Sequence, residues 1–82
     1  MNKPDIDYPC DWPYRVIGAN DEALPASIRE ALVDVEFRMR EGNRSSAGKY
    51  ASFEIVAAVR DERQRYWIYN RLRSLTLVKV VL

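Results

Sequence analysis

The sequence predicts an α+β fold: a two-layer sandwich of order β-α-β-β-α-β, with an antiparallel sheet of strand order 4-1-3-2 and two helices on one face. Three observations lead there. Residues 50 to 59 alternate Ala51, Phe53, Ile55, Ala57 and Val59 against Tyr50, Ser52, Glu54 and Val56, which is the period of a half-buried strand. Leu24, Ile28, Ala31 and Leu32 recur at three- and four-residue steps, which is the period of an amphipathic helix. The remaining segments supply two β-α-β units, and right-handed crossovers interleave such units in the ferredoxin-like arrangement.

The elements follow in chain order. Residues 1 to 11 hold Pro4, Pro9 and three aspartates and read as an extended arm, with Tyr8 and Trp12 as pins; residues 12 to 82 form the single domain. The run from Trp12 to Ala19 is aromatic and β-branched, with Tyr14 and Val16 on one face and Arg15 and Ile17 on the other. Gly18 and Asn20-Asp21 end it. Pro25 suits a first helical turn, and Asp21 and Glu22 suit the positive end of the helix dipole. The first helix extends in this reading through Val35 and Met39 to a stop at Gly42-Asn43, with Glu36–Arg40 and Asp34–Arg38 as i,i+4 pairs. A short, weak strand or an irregular arm is expected over 44 to 49, leading into a turn at Ala47-Gly48. Asp61 and Gln64 have the spacing of a capping box, and Ile68, Leu72 and Leu75 give the second helix its buried stripe. The last strand runs from Thr76 to Leu82, with Val78, Val80 and Leu82 opposite in face to Leu77, Lys79 and Val81.

Composition limits the chemistry. With 82 residues, one domain burying about 60 to 65% of its unfolded surface leaves no room for a large internal cofactor, and no cofactor or metal is expected. The chain has no histidine, which excludes Ser-His-Asp and Cys-His nucleophiles, histidine-ligated zinc and HExxH chemistry. Cys10 has no partner for an intramolecular disulfide, so a reducing cytoplasm is the natural compartment. The longest aliphatic run, Ile55 to Val59, is too short to cross a bilayer. The formal charge of +1 argues against a dedicated nucleic-acid binder.

The chain lacks the residues that known chemistries of this fold require. The loop Gly18-Ala19-Asn20-Asp21-Glu22 is acidic where an acylphosphatase needs an arginine-bearing phosphate cradle. A copper chaperone needs a CxxC pair there, and an RNA-recognition module needs an aromatic where Ser52 stands. The carboxylate pairs Asp21-Glu22 and Asp61-Glu62 sit at helix starts, where capping explains them. No catalytic residue is named, and the chain reads as a non-enzyme.

Two surfaces remain as candidates. One is the sheet face opposite the helices, predicted to present Arg15, Ile17, Tyr50, Glu54, Val56, Leu77, Lys79 and Val81, with Arg15 near both Glu54 and Lys79; association through it, including homodimer formation, competes with a plain solvated face. The other is Arg63, Trp67 and Arg71 at i, i+4 and i+8 of the second helix, a partner- or anion-binding stripe, or else a tryptophan packed under arginine stems. The same stripe supports RNA binding as the alternative function.

Five segments resemble the YbeD-like family of small bacterial proteins, which has no established biochemical activity: Tyr8-Pro9-Cys10, Trp12 to Gly18, Leu24-Pro25, Ser45 to Tyr50 and Val78 to Leu82. The resemblance implies a fold similar to ACT regulatory domains, which bind small effectors such as amino acids near the loop after the first strand, usually at dimer interfaces. Carried over, that effector site is Gly18, Ala19, Asn20 and Asp21. One departure stands out: few residues separate Gly42 from the turn at Gly48, so the edge strand reads as short, which weakens dimerisation through it. The function implied is a cytosolic regulatory or protein-interaction module.

Charge is divided along the chain. Residues 1 to 41 carry nine acids and five bases, and residues 42 to 82 carry three acids and eight bases, hence −4 and +5. A two-signed surface suits a protein partner or a like molecule better than a uniform polyanion.

Overall fold

In the computed structural model, which describes residues 7–42 and 48–82, strand β1 (Cys10–Ala19) runs through the middle of the sheet. It pairs antiparallel with β3 (Tyr50–Val59) on one side and β4 (Val78–Val81) on the other, and β2 (Phe37–Glu41) pairs with the outer side of β3. The order β2-β3-β1-β4 is the expected 4-1-3-2 sheet. β1 begins at Cys10, opposite Val59, two residues before the predicted start.

Period-two alternation makes the inner face. Tyr14 and Val16 of β1 and Ala51, Phe53, Ile55, Ala57 and Val59 of β3 are buried in one cluster. Leu24, Ile28 and Leu32 from helix α1 (Ala23–Ala31) and its end, with Ile68 and Leu72 from α2 (Glu62–Arg73), close that cluster from one side. At about 1.5–3 kcal/mol for each large side chain fully buried, this layer dominates the folding energy. Pro25 occupies the first turn of α1, where a missing N–H leaves no bond unmade. Asp61 caps α2 by accepting from the Gln64 backbone N–H at 2.8 Å, while the Gln64 side chain accepts from the Arg60 N–H at 2.6 Å, one residue earlier than a standard capping box.

The first helix is shorter than its sequence pattern suggests. α1 ends at Ala31, and the chain turns through Leu32, whose φ of −108° leaves the helix, with the Val35 N–H bonding back to the Leu32 carbonyl at 2.9 Å. Phe37 to Glu41 then form β2, with Met39 opposite Ile55 and Arg40 opposite Glu54. The four-residue step from Val35 to Met39 fits a helical turn and, being even, also fits a strand. Tertiary pairing chose the strand, because β2 supplies hydrogen-bond partners along the outer edge of β3. Glu36–Arg40 and Asp34–Arg38 are therefore not helical pairs. Arg40 is bonded to Glu54, and Arg38 lies 3.9 Å from Asp11. The edge strand is β2, which precedes Gly42 instead of following it, and with five residues it is half the length of β3. The strand expected over 44 to 49 falls largely outside the described residues; Gly48 there has φ +69°, a turn conformation that favours glycine.

β4 brings a second correction. Its register against β1 shifts between Ile17 and Gly18: Val81 faces Val16, Val80 faces Ile17, and Val78 faces Gly18. A bulge at Lys79 resets the alternation, so Val81 turns into the core at 6% exposure and Val80 turns outward at 42%. Val81 is thus not on the open face, where the alternation from Thr76 had placed it. Gly18 is required beside this irregularity, since a Cβ there would stand 2.4 Å from the Leu77 carbonyl oxygen and 3.0 Å from Leu24.

Candidate functional site

The loop after β1 is held by its own polar groups. The Ala19 N–H donates to the Leu77 carbonyl at 2.9 Å, the Asn20 N–H to Lys49 at 3.1 Å, and the Asn20 side-chain amide to Gly48 at 2.8 Å. The Asp21 carboxylate accepts from the Ala23 N–H at 2.8 Å and so starts α1. Gly18, Ala19, Asn20 and Asp21 are brought together, with these groups spent on joining β1 to β4, to the turn before β3 and to α1.

On α2 the inward stripe of Ile68 and Leu72 turns Arg63, Trp67 and Arg71 outward. The three divide. Arg71 Nε donates to the Ala31 carbonyl at 3.2 Å, satisfying the C-terminal end of α1, and its guanidinium lies 5.7 Å from the Trp67 ring centroid. Arg63 and Trp67 line an open hollow of about 380 Å³ with Arg60, Asp61, Asp34 and Val35. Trp67 is 47% exposed, and among the described residues none of the ion pairs includes Arg60, Arg63 or Arg71.

Arg65, which in the sequence only flanks the Arg63, Trp67 and Arg71 stripe, is the arginine that meets the N-terminal aromatics. Its guanidinium stacks 4.4 Å from the Trp12 centroid and 4.6 Å from that of Tyr66, and its Nε donates to the Tyr8 hydroxyl at 2.9 Å. The signal was available: Arg65 lies three residues before Ile68, on the inner flank of the helix, where Tyr8 and Trp12 already needed a partner.

The open sheet face is organised in rows across the strands. Leu82, Arg15, Glu54 and Arg40 form one row, because Leu82 exchanges both backbone hydrogen bonds with Arg15 at 2.8 and 3.0 Å, Arg15 faces Glu54, and Glu54 faces Arg40. Lys79, expected beside Arg15, is displaced by the bulge, and Leu82 takes that place. Arg15 Nη2 lies 3.3 Å from Glu54 Oε1, while Arg40 bonds Oε2 of the same carboxylate. The Arg40 hydrogen bond and charge, with those of Arg15 behind them, hold the Glu54 carboxyl below its usual range against a smaller effect of burial. Pro13, Val56 and Arg38 make the neighbouring row on one side, and Val80, Ile17 and Ser52 the row on the other.

Among the described residues no group of three His, Cys, Asp or Glu side chains is placed to hold a metal ion. Nor is any helix among them long and apolar enough to cross a membrane.

This architecture is ACT-like. The crystal structure of the ACT domain from the GTP pyrophosphokinase of Chlorobium tepidum superposes with a TM-score of 0.70 over 89% of this chain and 97% of that one, at 14% identity. The chain belongs to the DUF493 family, described as proteins of unknown function, whose profile matches residues 3–82. A UPF0250 protein of a Janthinobacterium species is 37% identical over 81 residues, covering 94% of this chain and 89% of the relative. An uncharacterized Helicobacter pylori protein is 33% identical over 79 residues, covering 95% and 91%. One solution structure of a Helicobacter pylori protein reaches a TM-score of 0.81 at 30% identity, over 98% of this chain and 88% of that one. The YbeD-like resemblance read from the sequence is this family.

Proposed function

We propose that the chain is a non-enzymatic, cytosolic protein-interaction module that docks an acidic segment of a partner protein on the outer face of α2. The observation that carries this reading is Trp67, nearly half exposed above a hollow that it shares with Arg60 and Arg63. A large aromatic ringed by arginines is the composition of an interface hot spot, and guanidiniums that form no ion pair among the described residues favour a partner of opposite sign. An apolar side chain between acids would lie in the hollow against Trp67, with its carboxylates on Arg60 and Arg63. Arg71, tied to the Ala31 carbonyl, would hold the tryptophan ring in place.

The hollow also contains Asp34 and Asp61. Two carboxylates there interrupt the positive surface, leaving separate positions at Arg60 and Arg63 that suit spaced side-chain carboxylates better than a continuous phosphate backbone, so a protein segment is preferred to RNA. The effector reading of Gly18 to Asp21 draws support from the ACT-like architecture, but the loop hydrogen bonds leave it few free groups.

The test is an amide and indole NMR titration with a short peptide of glutamates and leucines. Trp67 should shift, and Trp67→Ala should weaken binding by about tenfold or more, equivalent to about 1.4 kcal/mol. Arg63→Ala should mainly reduce the salt dependence. Absence of binding at low salt would overturn the proposal, and so would tighter binding of a single-stranded RNA oligonucleotide that Arg63→Ala and Arg71→Ala weaken.

A further inference from the structure

The open sheet face carries a row of charges beside an apolar hollow. Arg15 and Arg40 approach the Glu54 carboxylate from opposite sides, one guanidinium on each oxygen. On one side of this row lies an open hollow of about 430 Å³ walled by Pro13, Val56 and Leu82, with Arg15 and Glu54 at its border. On the other lies a polar hollow of about 470 Å³ that Arg15, Glu54 and Arg40 border with Ser52, Glu41 and Gly42. Arg15 borders both. Its side chain is 56% exposed and most of its five donors remain outside the contact with Glu54.

From this juxtaposition we infer that the open face is a binding site for a small amphipathic organic acid, its carboxylate on Arg15 and its apolar body between Pro13, Val56 and Leu82. A carboxylate matches the planar fork of a guanidinium, and Arg15 keeps donors free of Glu54 to receive it. The apolar body covers surface that the sheet leaves to water, since Val56 and Pro13 face each other across β3 and β1 and Leu82 is 68% exposed. Ligands of six to ten heavy atoms in so shallow a site bind at about millimolar strength. The site is separate from the α2 face, so it stands or falls independently of partner docking.

Hexanoate is the probe, with hexanol and hexylammonium as controls, followed by amide NMR on the intact chain. Hexanoate should shift Arg15, Glu54, Val56 and Leu82, while hexanol shifts them at least about tenfold more weakly and hexylammonium does not bind. Arg15→Gln should weaken hexanoate binding about tenfold, and Arg40→Gln less. Glu54→Gln should tighten it several-fold, because the internal carboxylate competes with the ligand for the same arginines. All three side chains lie on the exposed face, and an unchanged spectrum at α1 and α2 confirms that each variant is folded. The inference is overturned if hexanol binds as well as hexanoate, if Glu54→Gln weakens binding, or if no shift occurs on the sheet.

Discussion

The hydroxyl of Tyr14 donates to the backbone carbonyl of Arg65 at 2.7 Å, tying the centre of β1 to α2. Tyr14 is buried, and that burial pushes its phenol up to about 12, the nearby Arg65 charge opposing the shift. The folded protein therefore holds this proton more tightly than the unfolded chain, whose tyrosines ionise near pH 10. Its contribution to stability is complete below about pH 10 and is lost as pH rises through about 12. Tyrosinate absorbance should show one late-titrating group that Tyr14→Phe removes. The same substitution should cost about 0.5–1.5 kcal/mol in urea unfolding at neutral pH; an unchanged titration would contradict the assignment.

Arg65 is expected to matter through its shape as well as its charge. Its side chain is only 17% exposed and lies over Trp12 and Tyr66. Arg65→Lys keeps the charge but loses the planar stack, and should lower stability by about 0.5–1 kcal/mol. Arg65→Ala should cost more and change Trp12 fluorescence in a Trp67→Phe background. Equal stability of the lysine and arginine forms would show that the stack contributes nothing.

The Glu54 carboxyl titrates below its usual range because Arg40, and secondarily Arg15, favour its charged form. Its contribution to stability is present above the ordinary carboxylate pKa and disappears as pH falls through the depressed value. Carboxyl NMR should find Glu54 ionising at lower pH than in the Arg40→Gln variant, where it moves back towards normal. Added salt should narrow the difference, since the pair is exposed.

The bulge in β4 makes neighbouring valines unequal. Val81→Thr places a hydroxyl in the core and should cost about 1–3 kcal/mol. Val80→Thr lies on the open face and should stay within about 0.5 kcal/mol. Paired denaturation curves check this directly, and the reverse order would mean that β4 holds the uninterrupted register.

Burial on one face leaves a period in the chain, and where that period was unambiguous the sequence was sufficient. The ten-residue alternation of β3, the Tyr14 and Val16 face of β1, the Asp61 cap and the sheet order were all legible. So was the Arg15–Glu54 contact, which follows once two central strands are paired in antiparallel register. The family was legible too, from short segments spread along the chain.

What failed was decided between elements. Val35 to Met39 satisfies the helical and the strand period together, and only the vacant edge of β3 selects the strand. That choice moved Arg40 from a supposed helix pair to the far side of Glu54, where it completes the charge row of the open face. A one-residue bulge exchanged Val80 and Val81 and replaced Lys79 by Leu82 beside Arg15. Arg65 found Trp12 and Tyr8 across more than fifty residues of chain. Local composition alone determined which faces are apolar, because each element must bury one side; which charges meet was set by register and crossover, which depend on all the strands at once.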